Sequence, residues 1–166
     1  MTPDSRPSAA RSAGSARVFP SIPNSCATWP RPRLDHGESM IAQILVADDN
    51  TDITSLLSEY LSGRRHRVIV AYDGFQLSQK AAQHRPHLII TDVQMPGAYG
   101  SSVYQVLQKD PATKGIPILF ISAYPLERLK HILPNDPKTR FMQKPLNFAD
   151  LERTICELLP MGGYVP

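Results

Sequence analysis

The 166-residue sequence predicts a doubly wound α/β domain, with five parallel strands covered by five helices on both faces. Three observations carry that reading. Short apolar runs recur between turn signals: Ile44-Leu45-Val46-Ala47, Leu88-Ile89-Ile90-Thr91 and Ile118-Leu119-Phe120-Ile121. Runs of that length and character suit strands buried on both sides. Segments with helical apolar spacing alternate with them. Each run, and the later Arg140-Phe141-Met142-Gln143, also ends in a polar residue: Asp48-Asp49, Asp92, Ser122 and Lys144. Open parallel sheets gather their binding groups at such carboxyl ends.

The elements follow in order. Gln43–Ala47 is the first strand, and a helix from about Thr51 to Leu61 turns Ile53, Leu56, Leu57, Tyr60 and Leu61 inward. Gly63 is placed to end it. His66–Ala71 reads as the second strand, and Asp73-Gly74 opens a helix to about His84. Pro86 breaks the pattern before the strand His87–Thr91. Met95-Pro96-Gly97 makes a turn. Ser101–Lys109 is a helix with Val103, Val106 and Leu107 inward, stopped by Asp110-Pro111. Ile116–Ile121 is the fourth strand. Pro125 suits the first turn of a short helix carrying Leu126, Leu129, Ile132 and Leu133, which must end by Pro134. The fifth strand is about Arg140–Gln143. Asn147 caps a last helix, Phe148–Leu159, whose inward face is Leu151, Ile155, Leu158 and Leu159. Alternation of this kind implies right-handed crossovers.

Composition narrows the classes of function. Residues 1–39 are rich in Pro, Ser, Ala and Arg and lack periodicity, so they are expected to be a disordered leader. An equal alternative is sequence read in frame ahead of a true start at Met40. A transit peptide ranks third, because Asp35, Glu38 and several prolines spoil an amphipathic helix. Residues 40–160 form the folded domain and 161–166 a short tail. From Met40 onward thirteen Lys and Arg face twelve acids, so nothing points to nucleic acid. No stretch is apolar for long enough to cross a membrane. Cys26 and Cys156 have no metal or disulfide spacing, which suits a reducing cytoplasm.

Asp48 and Asp49 on their own could be helix caps beside the positive end of a helix dipole. Asp92 changes the balance. Three carboxylates brought together repel unless a cation sits among them, and Mg²⁺ suits hard oxygen donors. Asp92, exposed at the sheet edge, can be a ligand, a nucleophile or both, and aspartate is a competent nucleophile for phosphoryl transfer. Of the oxygens on a transferred phosphoryl group, Mg²⁺ can take one, the Ser122 hydroxyl another and the Lys144 ammonium a third. Singly, Ser122 reads as a turn former and Lys144 as a solvated cation. Their weight comes from position. His84, His87 and His131 read as surface residues.

With these pieces in place the sequence closely resembles the receiver domain of two-component response regulators. The matching segments are Leu45-Val46-Ala47-Asp48-Asp49-Asn50, Asp92-Val93-Gln94-Met95-Pro96-Gly97 with Gly100, Ile121-Ser122-Ala123 and Lys144-Pro145-Leu146. They stand in family order and cover about Met40 to Leu159. The resemblance implies a flavodoxin-like sheet in the order 2-1-3-4-5. It implies that Asp92 accepts a phosphoryl group from a sensor histidine kinase or a histidine phosphotransfer protein. Asp49, Asp92 and the Gln94 backbone carbonyl would bind Mg²⁺ directly, with Asp48 acting mostly through water. Lys144 would pair with the phosphoryl group, its bond to Pro145 being cis. Ser122 and Phe141 would form the switch that reshapes a protein-binding surface for an unknown downstream target.

On this reading the chain is a cytoplasmic signalling module, a monomer or weak dimer, and not an enzyme beyond its own phosphorylation and slow dephosphorylation. Departures from the family pattern are Phe141 in place of a frequent tyrosine, Ser78 in place of a leucine, and Pro134-Asn135-Asp136-Pro137 in place of a small Gly-Ala element. Gln94 and Tyr124 stand where the family tunes dephosphorylation. Three rivals remain: a Mg²⁺-dependent phosphohydrolase, disfavoured because Gln94 replaces a second acid; a phosphorylation-independent scaffold; and a detached receiver of a hybrid kinase.

Overall fold

The computed structural model describes residues 41–95 and 98–159. The expectations for residues 1–39, for the Pro96-Gly97 turn and for the tail 161–166 lie outside the described residues. Five strands form one sheet: β1 Gln43–Ala47, β2 Arg67–Ala71, β3 Leu88–Asp92, β4 Ile118–Ser122 and β5 Thr139–Gln143. They are parallel and ordered β2-β1-β3-β4-β5, as expected. The helices are α1 Thr51–Gly63, α2 Gly74–His84, α3 Gly100–Lys109, α4 Leu126–Leu129 and α5 Phe148–Leu158. A two-residue hairpin of Gln94–Met95 against Ala98–Tyr99 stands beside the sheet. The sequence reading had only a turn there.

Strand alternation sorts the apolar side chains into two cores. Ile44, Val46, Leu88, Ile90, Leu119 and Ile121 face α1 and α5, where Leu57, Leu61, Leu151 and Ile155 meet them. Leu45, Ala47, Ile89 and Phe120 point the other way, toward Leu77, Ala81, Val103, Leu107 and Leu129. β3 and β4 are buried along their whole length, which explains their unbroken apolar runs.

Three helices bury narrower stripes than their apolar residues suggested. Leu56, at 46% exposure, lies off the stripe of Thr54, Leu57 and Leu61. Val106, at 50%, lies off the line joining Val103 and Leu107. α4 is a single turn, and Leu126 and Ile132 face solvent while Leu129 is buried. Beyond it the Ile132 N–H reaches the Leu129 carbonyl at 2.8 Å, so the chain tightens into turns ahead of Pro134. Pro125 is its N-cap rather than a first-turn residue.

The helix ends follow from local chemistry. Asn50, Asp73 and Asn147 each accept from backbone N–H groups as N-caps of α1, α2 and α5. The left-handed residue closing α1 is Arg65, φ 67°, and not Gly63; Arg85, φ 46°, closes α2. Across one face Tyr60 stacks on Phe148 at 4.2 Å and donates to its carbonyl, while Arg64 covers the Tyr60 ring and pairs with Glu152. This ties the end of α1 to the start of α5. On the other face the Tyr104 hydroxyl donates to Asp136 at 2.6 Å, which pushes the phenol up to about 12. The Pro134–Pro137 stretch is thereby fastened to α3.

His84 and His131 are exposed as expected. His87 is half-buried instead, because its Nδ1 accepts the Gln43 N–H at 2.8 Å. His66 does the same for Ala42 at 3.3 Å. Burial, with Arg64 nearby, holds His66 below its ordinary pKa. An imidazole accepting at Nδ1 must be neutral there. Its stabilising contribution is present above the unfolded pKa of about 6.5 and lost as pH falls through the folded value. Urea unfolding should therefore show stability falling over that acidic window, with a shallower fall in His66→Gln. In the same assay Leu119→Ala, which empties a fully buried site, should cost about 2–5 kcal/mol.

Candidate functional site

The strand register gathers the site. Ala47 is level with Thr91, so Asp48 and Asp92 leave the sheet together from neighbouring strands. Asp92 pairs in register with Ile121, which places Ser122 one step beyond it, and Ser122 is level with Gln143. Lys144 follows. Asp48, Asp49 and Asp92 can bring one oxygen each within 4.8 Å of the others. Asp48 is fully buried and Asp49 faces solvent, while Asp92, expected to be exposed at the sheet edge, is buried at 8% exposure because β3 lies at the centre of the sheet. The cluster therefore has a buried floor and an open side.

Lys144 Nζ lies 2.6 Å from Asp48 Oδ2 and 3.6 Å from Asp92 Oδ1. The other Asp48 oxygen accepts the Asn50 N–H at 2.9 Å. The capping alternative for the paired aspartates fails here, because Asn50 caps α1 and itself holds Asp48. Burial pushes the Asp92 carboxyl above its ordinary value; Lys144 pulls it down and the Asp48 charge pushes it up. The Ser122 hydroxyl is buried and accepts the Tyr124 N–H at 3.1 Å. The Lys144 N–H donates to the Ser122 carbonyl at 2.7 Å, and the Lys144-Pro145 peptide is cis. Hard oxygen donors crowded around one open side fit a small divalent cation.

A model of the response regulator receiver domain matches residues 44–156. The chain belongs to the response regulator receiver family. Its homologues are receivers of response regulators and of hybrid kinases, which gives it a receiver's place in a phosphorelay. It is 30% identical over 71% of its length to hybrid signal transduction histidine kinase D of Dictyostelium discoideum, and spans 8% of that kinase. The solved structure of the chemotaxis protein CheY4 of Vibrio cholerae is 27% identical, covers 72% of this chain and 99% of its own, and has a TM-score of 0.63. The receiver domain of the Pseudomonas aeruginosa sensor kinase PA1611 shares the fold, at 23% identity and a TM-score of 0.64 over 72% of this chain and 98% of its own. That structure has a magnesium ion coordinated in its active site cleft.

Within this receiver, Asp48, Asp49, Asp92 and Lys144 come together, and Ser122 stands in the adjoining register position. Gln94 is exposed two residues past Asp92, at the start of the hairpin. Phe141 is half-buried against the core shared by α2, α3 and Leu129. Two supporting groups escaped the sequence reading. Asn50 was legible only as part of a motif, although its place between two acids and Thr51-Asp52 is a cap signature. Thr91, fully buried, donates to the Asp92 carbonyl at 3.1 Å and carried no sequence signal beyond strand propensity.

An acid whose folded pKa is raised stabilises the fold below its unfolded pKa and loses that contribution as pH rises through the folded value. At neutral pH Asp92 is therefore a net cost to stability. Asp92→Asn should melt a few degrees higher than wild type at pH 7 in calorimetry. The difference should shrink in acid.

Proposed function

We propose that this receiver takes up a phosphoryl group on Asp92 and acts as a phosphorylation-controlled switch of protein contacts. The observation that carries the reading is a carboxylate at the end of β3, grouped with two more acids and 3.6 Å from an ammonium. An Asp92 oxygen attacks phosphorus in line; a P–O bond forms as the P–N bond of a donor phosphohistidine breaks, and the electron pair leaves with the imidazole. The donor is a sensor histidine kinase or a histidine phosphotransfer protein. Asp49, Asp92 and the Gln94 carbonyl would hold Mg²⁺, with Asp48 acting mostly through water, and the ion would supply charge neutralisation to the transferred oxygens.

The chain's own groups do the rest. Lys144 exchanges part of its contact with Asp48 for a phosphoryl oxygen. Ser122 accepts from Tyr124 N–H, so its own proton is available to donate to another oxygen. A shift of Ser122 releases Phe141, whose ring has no hydroxyl to anchor it, and alters the surface near α4, β5 and α5. The chain is a stoichiometric switch rather than a turnover enzyme, acts in the cytoplasm, and is a monomer or weak dimer. No described helix is long and apolar enough to cross a membrane.

Incubation with acetyl phosphate and Mg²⁺, read by intact mass, tests the reading. Wild type should gain one phosphoryl group, Asp92→Asn none, and chelation of Mg²⁺ should abolish the gain. Uptake by Asp92→Asn would move the acceptor elsewhere. In Lys144→Met the rate of uptake should fall by about 10²-fold or more, on the scale of losing one transition-state charge contact.

A further inference from the structure

β2 is an edge strand: among the described residues nothing pairs along its far side. Its central residues Val68-Ile69-Val70 are β-branched, half-buried and uninterrupted by charge or proline. Such a segment is a template for strand addition unless something blocks it. The hydrogen-bond phase shows which groups are on offer. The Arg67 N–H reaches the Ala42 carbonyl and the Ala71 carbonyl accepts the Asp48 N–H, so odd-numbered residues face β1. The backbone groups of Val68 and Val70 therefore face the open side.

One of those groups is occupied. Lys80, on α2, places its ammonium 2.6 Å from the Val70 carbonyl. It is steadied by Gln76 Oε1 at 3.4 Å, and Gln76 in turn donates to Asp73, the α2 cap, at 2.8 Å. The opposite edge carries an independent instance. The Ile118 N–H to Lys138 carbonyl and Lys144 N–H to Ser122 carbonyl bonds set even-numbered residues of β5 toward β4. Thr139 thus faces outward, and Arg140 donates to its carbonyl at 2.9 Å. Both open edges carry a cation seated on an outward carbonyl.

We propose that Lys80 guards the β2 edge against pairing with a second copy of this chain. Two β2 strands are self-complementary about a two-fold axis through Ile69, which sets Val68 of one copy opposite Val70 of the other. Pairing would require the Val70 carbonyl that Lys80 holds, and would bring two ammonium groups to one new ladder. Neutralising Lys80 removes both obstacles, so its charge governs self-association.

Sedimentation velocity and backbone amide exchange on the full chain test this, comparing wild type with K80M, K80Q and K80R. K80M and K80Q should shift toward twice the wild-type mass as concentration rises, and the Val68 and Val70 amides should lose their fast exchange on association. K80R should behave as wild type. Far-ultraviolet circular dichroism identifies a variant that fails to fold, and either neutral variant alone suffices for the comparison. Unchanged mass and unchanged β2 exchange in the folded neutral variants would overturn the proposal, as would association protected at some other element. A merely lowered melting temperature would mark Lys80 as a helix anchor and also overturn it.

Discussion

Lys144 meets a cluster of three carboxylates with one ammonium, and its 2.6 Å contact with buried Asp48 is the electrostatic condition for the cluster. Without a cation, buried like charges of this kind are costly enough to neutralise by taking up protons. The sheet pays that cost by geometry: parallel register delivers Asp48, Asp92 and Lys144 to the same edge from β1, β3 and the end of β5. The Asn50 N–H and the cis Lys144-Pro145 peptide belong to the same frame. Burial still tells on Asp92, whose carboxyl is held above its ordinary pKa chiefly by desolvation and further by the Asp48 charge, against the pull of Lys144.

Much of this was legible in the sequence because β3 and β4 are short, wholly buried and lead into their functional residues. Leu88-Ile89-Ile90-Thr91-Asp92 announces both a strand and what it carries. The helices were less transparent. Apolar spacing on α1 and α3 admitted Leu56 and Val106 to the inward face, yet the sheet accepts only a narrow stripe from each helix. α4 was read about twice too long because Leu126, Leu129, Ile132 and Leu133 mimic a helical face, whereas only Leu129 is buried. The hairpin after Asp92 has two residues a side and lies below what periodicity can register.

Groups acting through backbone contacts were the least visible. His87 looked like a scattered surface histidine and His66 like the first residue of a strand, but each accepts an N–H at the start of β1, far along the sheet from the acidic cluster. Tyr60 looked like one more apolar position on α1. Its stack on Phe148 and the Arg64–Glu152 pair instead join the end of α1 to the start of α5. Such roles depend on partners 24 to 88 residues away in sequence.

The division of the apolar interior by the sheet has an evolutionary consequence. Side chains of the α1–α5 face and those of the α2–α3–α4 face form separate clusters, with the five strands as a partition between them. Substitutions on opposite sides share few neighbours, so their energetic effects should combine nearly additively. A lineage can therefore remodel one side to meet new associates while the other side drifts under its own constraints. The partition makes the domain two semi-independent surfaces on a common chemical edge.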